Sequence, residues 1–162
     1  MRTGVGYDSH RFDETRPLVL GGVAIPDAPG LKGHSDGDAV AHAITDAVLG
    51  AAGLGDIGVL FPDTDPAYAG ADSIELLASA VRRLRDGGFR VVNVDATVIA
   101  ERPRISPHAE AMRERLGEAL GTGAAGVSIK GKSNEGMGWI GRGEGLAAIA
   151  VATVTPAAGD GA

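Results

Sequence analysis

Two short stretches of the chain carry the side chains best suited to chemistry. Asp8 and His10 lie two residues apart near the start, and His42 closes the stretch 33–42. On a strand, residues two apart point to the same side of the sheet. With His42 they would offer one carboxylate and two imidazoles, a set that suits Zn²⁺ and leaves one tetrahedral position for substrate. By themselves, the three could also be ordinary polar residues near a sheet edge.

The stretch 33–42 predicts the beginning of a helix that would carry His42. We expect this helix over about 36–52, with Ser35 or Asp36 as its N-cap, because a short side-chain oxygen accepts bonds from the first free N–H groups. Ser35 followed by Asp38 resembles a capping box with Asp in place of Glu. A helix of this kind would hold His42 on a rigid support beside a turn rich in polar side chains.

Three polar residues of the predicted helix share one face. Asp38, His42 and Asp46 follow the spacing i, i+4, i+8, which places them above one another. A carboxylate one turn from a metal-binding histidine can orient its ring, so Asp46 is a candidate for that role. His108 is the one histidine that lies outside these two stretches, and we assign it no role.

The remaining pattern predicts an α/β fold, an α+β sandwich with a mixed sheet of four or five strands and helices on one face. Its apolar run 146–154 reads as a strand buried on both faces, one of which a homo-oligomer could supply. We expect a single domain over 1–155 and a disordered tail over 156–162. Strands are expected at 3–12, 18–26 with a turn at Gly21-Gly22, 89–100 and 126–130, and helices after Asp72 and Ser106.

Composition excludes several classes of protein. The chain has 162 residues, no cysteine and a net charge of −6. Disulfides, thiolate catalysis and cysteine-ligated metals are therefore excluded, and the negative charge disfavours a nucleic-acid partner. No apolar run is long enough to cross a bilayer, so no membrane partner is expected. The absence of a transit-like segment favours a bacterial cytoplasmic location.

One apparent motif is rejected. Residues 126–133 match the P-loop pattern letter for letter, but that pattern requires a strand before its first glycine and a helix after its last residue. Here the predicted strand lies inside the pattern, and a glycine-rich loop, 131–145, follows it. Lys132 and Ser133 can still contact phosphate, because a glycine-rich backbone offers N–H donors and lysine adds charge.

Laid end to end, the motifs resemble the 2-C-methyl-D-erythritol 2,4-cyclodiphosphate synthases of the non-mevalonate isoprenoid pathway. The resemblance covers roughly residues 1–155. It rests on five stretches in the same order: 6–11, 34–38 with His42, 55–58, 61–66 and 131–145.

The resemblance implies a homotrimer with active sites between neighbouring subunits, and it implies a lyase reaction. In that reaction the 2-phosphate of 4-diphosphocytidyl-2-C-methyl-D-erythritol 2-phosphate attacks the β-phosphate of the same molecule. CMP leaves and a cyclic diphosphate forms. The substrate is thus a small molecule linked to a cytidine nucleotide.

The resemblance also implies roles for individual residues. The zinc ligands would be Asp8, His10 and His42, and Glu135 would hold a magnesium or manganese ion at the diphosphate. His34 and Ser133 would stabilise the transition state; Ser133 stands where threonine is usual and keeps the hydroxyl. The implied substrate contacts are Ser35, Asp56, Ile57, Gly58, Phe61, Pro62, Asp63, Thr64, Asp65, Ala100, Glu101, Arg102, Pro103, Arg104, Ile105, Ser106, Lys132, Asn134, Trp139 and Arg142.

Two other functions are compatible with parts of the pattern. A zinc-dependent phosphohydrolase could use the same three ligands with a bound water, but it would not need the nucleotide-side residues at 100–106 and 131–135. A non-catalytic trimeric module of similar fold could bind a small ligand, but it would have no reason to place its histidines beside acids. Both features therefore favour the lyase.

Overall fold

A computed structural model describes residues 1–157 and contains one mixed sheet of five strands in the order β2-β1-β5-β3-β4. Strands β3 and β4 run parallel, and the other neighbouring pairs are antiparallel. The predicted mixed sheet is therefore confirmed. The strands are β1 (Arg2–Leu20), β2 (Val23–Leu31), β3 (Phe89–Ile99), β4 (Val127–Lys132) and β5 (Gly145–Pro156).

Three long helices pack on the sheet and share its hydrophobic core, and two short helices lie in loops. A 3₁₀ turn, Ser106–His108, precedes the third long helix where the sequence predicted that helix to begin. Within the described residues, no helix is both long enough and apolar enough to span a bilayer. The helices are α1 (Ala39–Ala52), α2 (Ile57–Leu60), α3 (Ser73–Asp86), α4 (Ala109–Leu120) and α5 (Gly138–Gly141).

Close packing of α1 on β1 sets the geometry of the site. A Cβ atom added to Gly6 would lie only 1.9 Å from the carbonyl oxygen of Ala43, so the helix backbone can approach the strand only because Gly6 has no side chain. Asp8 and His10 follow Gly6 at alternate positions of β1 and therefore point to the same face. His42, one residue before Ala43, is thereby brought to both of them.

The opposite face of the sheet is apolar and open in the single chain. Val5, Tyr7, Ile149 and Val151 lie on neighbouring positions of β1 and β5 and are between 39% and 68% exposed. The apolar run in β5 was predicted to be buried on both faces, but within one chain Ile149 and Val151 on its outer side are exposed. Exposed apolar residues grouped in this way are typical of interaction surfaces.

Asp38 has a different role from the predicted one. It is the N-cap of α1, so neither Ser35 nor Asp36 caps the helix, and the hydrogen bonds of its carboxylate go to backbone N–H groups. Its fully buried carboxylate accepts N–H bonds from Val40 and Ala41 of the helix, at 3.1 and 3.0 Å. It also accepts bonds from the turn residues Gly21 and Gly22, at 2.8 and 2.7 Å. One side chain thus joins the β1–β2 turn to the start of α1.

We expect Asp38 to make unfolding pH-dependent. Burial raises its pKa to about 6, although the N–H bonds from Ala41, Gly22 and Gly21 act to lower it. An aspartate in the unfolded chain titrates near 3.9, so the folded protein binds more protons between about pH 4 and 6. The free energy of unfolding should therefore fall by about 3 kcal/mol as pH rises through this interval.

Chemical denaturation from pH 4 to 7 tests this expectation, with metal removed from both proteins by a chelator. Asp38→Asn cannot titrate, so its free energy of unfolding should lack this fall with pH, although the variant will be less stable overall. Parallel pH profiles for the wild type and the variant would contradict the assignment.

The glycine-rich region and the tail differ in part from expectation. Strand β4 runs through the P-loop-like stretch, which confirms that this stretch is not a P-loop. The glycine-rich stretch that follows was expected to be a loop, and within it the structure has the short helix α5. The predicted disordered tail begins too early, because β5 extends to Pro156 and the Ala157 N–H donates to the Gly88 carbonyl at 2.8 Å. Residues 158–162 lie outside the described part of the chain.

Candidate active site

Asp8, His10 and His42 converge as the sequence predicted. The Asp8 Oδ2 atom lies 2.8 Å from His10 Nε2 and 2.9 Å from His42 Nδ1, and the two nitrogens are 3.4 Å apart. Ligands bonded to a tetrahedral zinc at about 2.0–2.1 Å stand roughly 3.3 Å from one another. The three atoms therefore form a triangle of about the size that a tetrahedral metal ion requires on one face.

A backbone carbonyl fixes the tautomer of His10. His10 Nδ1 lies 2.6 Å from the carbonyl oxygen of Lys32. A carbonyl can only accept, so Nδ1 carries the proton and Nε2 keeps its lone pair directed at the triangle. Such a contact to the remote ring nitrogen is the usual support of a metal-binding histidine.

His42 is supported by a serine and an acid that the sequence analysis missed. His42 Nε2 lies 2.8 Å from Ser73 Oγ and 3.0 Å from Ser35 Oγ. The Ser73 hydroxyl donates to Asp36 Oδ1, so it can only accept from His42. The proton of His42 therefore sits on Nε2, and Nδ1 is free for metal.

Asp46 does not orient His42, contrary to the prediction. Its Oδ1 atom instead accepts the backbone N–H of Ile57 at 2.8 Å and so holds the start of α2. Burial raises the pKa of Asp46, although the Ile57 N–H bond acts to lower it. The sequence spacing placed Asp46 one turn from His42 but did not show that the Ile57 N–H would lie beside its carboxylate.

Asp8 and His10 shift each other's pKa values. Burial acts to raise the pKa of Asp8, but hydrogen bonds and positive charge from His10 and His42 outweigh it and hold that pKa well below its usual range. Burial acts to lower the pKa of His10, but the Asp8 hydrogen bond and charge raise it above the ordinary value. A divalent cation bound between these atoms would pair with the negative charge of Asp8 and require both ring nitrogens that face it to be unprotonated.

Replacing Ser73 by alanine should weaken zinc binding by about 10- to 100-fold, because His42 would lose the acceptor that fixes its ring. Competition with a chromophoric chelator measures this affinity. Ser128→Ala, at an exposed serine of β4, is the matched control and should bind zinc like the wild type. Equal zinc affinity in Ser73→Ala and the control would remove this role from Ser73.

The triangle opens into a cleft of about 390 Å³. His34 lies at its rim with an exposed ring whose Nε2 atom is 3.3 Å from the Asp65 carbonyl oxygen. Leu76 and Tyr68 complete the wall and were not predicted. The predicted residues that line this cleft are His10, His34, Ser35, His42, Ile57, Gly58, Phe61, Pro62 and Asp63.

Three further predicted residues lie in the loops that border this cleft. Asp56 is the N-cap of α2, where its carboxylate accepts the Val59 N–H. Asp65 caps the 3₁₀ turn Pro66–Tyr68 through the Ala67 N–H. Thr64 is exposed between them.

A second cleft, of about 340 Å³, gathers most of the predicted nucleotide-side residues. Arg102 and Arg142 line a neighbouring hollow, and Trp139 lies with His10 and Glu144 at the end of the sheet. Arg142 also pairs with Glu144 at 2.7 Å. The second cleft is lined by Ala100, Glu101, Pro103, Arg104, Ile105, Ser106, Gly131, Lys132 and Ser133.

Glu101 shapes the loop that carries Glu135. Its Oε1 atom accepts the N–H groups of Asn134 and Gly136, at 2.9 and 3.1 Å, on either side of Glu135. Glu135 itself adopts the left-handed conformation, with φ of 51°, and accepts the hydroxyl of Ser133 at 3.1 Å. The structure therefore places the Ser133 hydroxyl and the Glu135 carboxylate side by side.

The two clefts are separate in a single chain. His10 pairs with Leu146 on β5, the next residue Ala147 pairs with Ile99 on β3, and Ile99 pairs with Lys132 on β4. Three strand spacings of about 4.8 Å place the metal triangle and Lys132 roughly 14 Å apart across the sheet. One chain therefore does not bring all the predicted residues around one small substrate.

Comparison with known proteins decides the family. Residues 1–155 match the YgbB family over nearly the whole chain. This chain belongs to the YgbB family. A 2-C-methyl-D-erythritol 2,4-cyclodiphosphate synthase from Gemmatimonas aurantiaca is 59% identical over 154 residues, which cover 95% of this chain and 93% of the relative.

Solved structures share the fold. The bifunctional IspDF from Campylobacter jejuni superposes with a TM-score of 0.92 at 44% identity; the match covers 96% of this chain but only 42% of that longer one. A 2C-methyl-D-erythritol-2,4-cyclodiphosphate synthase in its CDP-bound form has a TM-score of 0.86 at 39% identity, with 95% and 100% of the two chains covered. The family expected from the sequence motifs is confirmed.

Proposed function

We infer that this chain is a phosphorus–oxygen lyase of isoprene biosynthesis. It converts 4-diphosphocytidyl-2-C-methyl-D-erythritol 2-phosphate to 2-C-methyl-D-erythritol 2,4-cyclodiphosphate and CMP. The observation that carries this inference is the Asp8-His10-His42 triangle opening into a cleft beside His34, in a chain whose curated relatives are named for that product. These names favour the lyase over a phosphohydrolase or a binding module.

We propose that the triangle holds Zn²⁺ and that Glu135 holds Mg²⁺ or Mn²⁺ at the diphosphate. One carboxylate and two imidazoles at tetrahedral spacing fit zinc, and a single exposed carboxylate fits an ion that takes its other ligands from phosphate and water. Bound there, the two ions would neutralise phosphate charge that develops during the reaction.

The protein's own residues position the phosphates and stabilise charge. The 2-phosphate is already ionised at neutral pH, so its attack on the β-phosphorus requires no strong general base. The new P–O bond forms as the bond to the CMP oxygen breaks, and CMP leaves with that electron pair. Phosphoryl transfer depends mainly on positioning and charge stabilisation, which the His34 ring N–H and the Ser133 hydroxyl can supply as donors.

We propose a homotrimer whose active sites lie between subunits. The apolar patch of Val5, Tyr7, Ile149 and Val151 offers an interface. The distance of roughly 14 Å between the two clefts of one chain, from three strand spacings, supports a site built from the triangle of one subunit and the Ser133 cleft of another. In this arrangement residues 100–106 and Lys132 would contact the cytidine nucleotide.

The substrate class has support from a relative. A synthase of the same fold has been solved with CDP bound, and CDP shares its cytidine and diphosphate with the proposed substrate. We also propose that residues 1–155 form the single domain and that the protein acts in a bacterial cytoplasm, in keeping with its bacterial relatives.

Release of CMP, measured with and without metals, tests the proposal. Purified protein should release CMP, lose this activity on treatment with a chelator, and recover it only when zinc and magnesium or manganese are both restored. Recovery with zinc alone would remove the role proposed for Glu135. Full activity in metal-free protein would overturn the metal-dependent mechanism.

A further inference from the structure

The turn that carries His34 is held by a cation from outside the predicted site. Arg16 lies in β1, where the pairing with β2 shifts register between Asp13 and Pro17. Its side chain is partly buried and reaches the turn rather than solvent. The Arg16 guanidinium donates from Nη1 to the Gly33 carbonyl at 2.6 Å and from Nη2 to the Ser35 carbonyl.

These two bonds hold the backbone carbonyls on either side of His34. The carbonyl of His34 itself accepts the Gly70 N–H at 2.8 Å. The three consecutive carbonyls of residues 33–35 are therefore each engaged by a donor from a distant part of the chain. Because the peptide planes are fixed in this way, the direction in which the His34 side chain leaves the backbone is fixed as well.

The side chain of His34 has little support of its own. Its ring is exposed, and its one hydrogen-bond contact among the described residues is a 3.3 Å approach to the Asp65 carbonyl. The position of the ring thus depends on the backbone turn. A planar guanidinium can hold two carbonyls in a fixed fork, whereas a lysine ammonium is a point charge on a flexible stem.

We propose that Arg16 is a positioning residue for the reaction, and that it acts through His34. This inference rests on the proposed function, in which His34 donates to charge that develops on the phosphates. The side-chain bonds of Arg16 go to the carbonyls of the residues on either side of His34 and to none of the three ligands. The contact of Ser73 with His42 at 2.8 Å does not involve Arg16, so the loss of Arg16 should lower kcat without removing zinc.

Kinetics of Arg16→Met and Arg16→Lys test the proposal. Misplacement of a catalytic group by about 1 Å can cost on the order of 100-fold, so Arg16→Met should lower kcat by about 10- to 100-fold while KM changes by less than about threefold. Arg16→Lys should recover part of the loss. Zinc content should match the wild type, and Arg83→Met, at an exposed arginine of α3, should retain wild-type kcat.

A double-mutant comparison separates positioning from a general structural role. If Arg16 acts through His34, Arg16→Met should change the residual rate of His34→Ala by less than about twofold, because coupled residues are not additive. An equal loss in both backgrounds, or a wild-type kcat in Arg16→Met, would overturn the proposal.

One readout does not depend on turnover. The chain has four histidines, so histidine labelled with ¹⁵N gives few ring signals, and that of His34 can be assigned by its loss in His34→Ala. The His34 signal should broaden or shift in Arg16→Met but not in Arg83→Met. An unchanged His34 signal in Arg16→Met would contradict the proposal that Arg16 positions His34. If the wild type fails to release CMP while this signal responds, the proposed function fails and the positioning contact stands.

Discussion

His42→Ala is expected to bind no stoichiometric zinc and to lose at least about 10³-fold in kcat/KM, since a metal ion contributes several kcal/mol of charge stabilisation and each 1.4 kcal/mol is tenfold. Removing this residue takes away one corner of the ligand triangle and leaves two donors, Asp8 and His10. Zinc content by atomic emission and CMP release by chromatography measure the two effects on the same sample.

His108→Ala is the matched control, because His108 is the N-cap residue just before α4 and lies in neither cleft. It should keep both zinc and activity. Asp8→Asn separates charge from shape: it retains an oxygen donor but removes the negative charge that supports a cation, so zinc affinity should fall although the fold is kept. A His42→Ala protein with full zinc and normal turnover would mean that the triangle is not the metal site.

His34→Ala should lower kcat by about 10²–10³-fold, the cost of removing one donor to a charge that develops in the transition state. Zinc content should stay at the wild-type value, because the His34 ring lies outside the triangle and its exposed position makes the substitution mild for folding. The combination of intact zinc and low kcat distinguishes this variant from His42→Ala.

One kinetic result for His34→Ala would contradict its role as a transition-state stabiliser. His34→Ala with normal kcat and only a raised KM would mean that His34 binds substrate equally in its ground and transition states. The role of transition-state stabiliser would then have to move to Ser133 alone. Ser133→Thr, which keeps a hydroxyl at that position, should remain active in either case.

The ligand triangle was expected from the family resemblance, and local patterns supported it. Asp8 and His10 alternate on one strand, and the stretch that carries His42 has a helix start and apolar periodicity. The glycine at position 6 lets the helix approach that strand. The alternation and the helix start are visible within a few residues of the chain, whereas the approach of α1 to Gly6 is visible only in the fold.

The supports of the triangle could not be predicted, because tertiary packing creates them. Ser73 and Asp36 are 37 residues apart, and they meet only because α3 begins against the turn that precedes α1. Asp38 was expected beside His42, but the glycine turn of the β1–β2 hairpin offers it two buried N–H donors. Asp46 was also expected beside His42, but it accepts the backbone N–H of Ile57 instead.

The division of the site between two clefts is also a property of the fold. The glycine-rich loop and the residues near position 100 carry motif-like patterns, but the sequence does not give their distance from His10. Strand order sets that distance, because β5 and β3 lie between β1 and β4. The proposed site between subunits would cover the open apolar face of β1 and β5 with a second chain.

Phosphorus NMR of the purified protein with 4-diphosphocytidyl-2-C-methyl-D-erythritol 2-phosphate tests the central claim most directly. The account predicts equal amounts of CMP and of a cyclic diphosphate with two coupled phosphorus signals, and no reaction after chelation. Inorganic phosphate in place of the cyclic product would identify a phosphohydrolase. Unchanged substrate in the presence of metal-loaded protein would contradict the proposed enzyme and leave only a binding function.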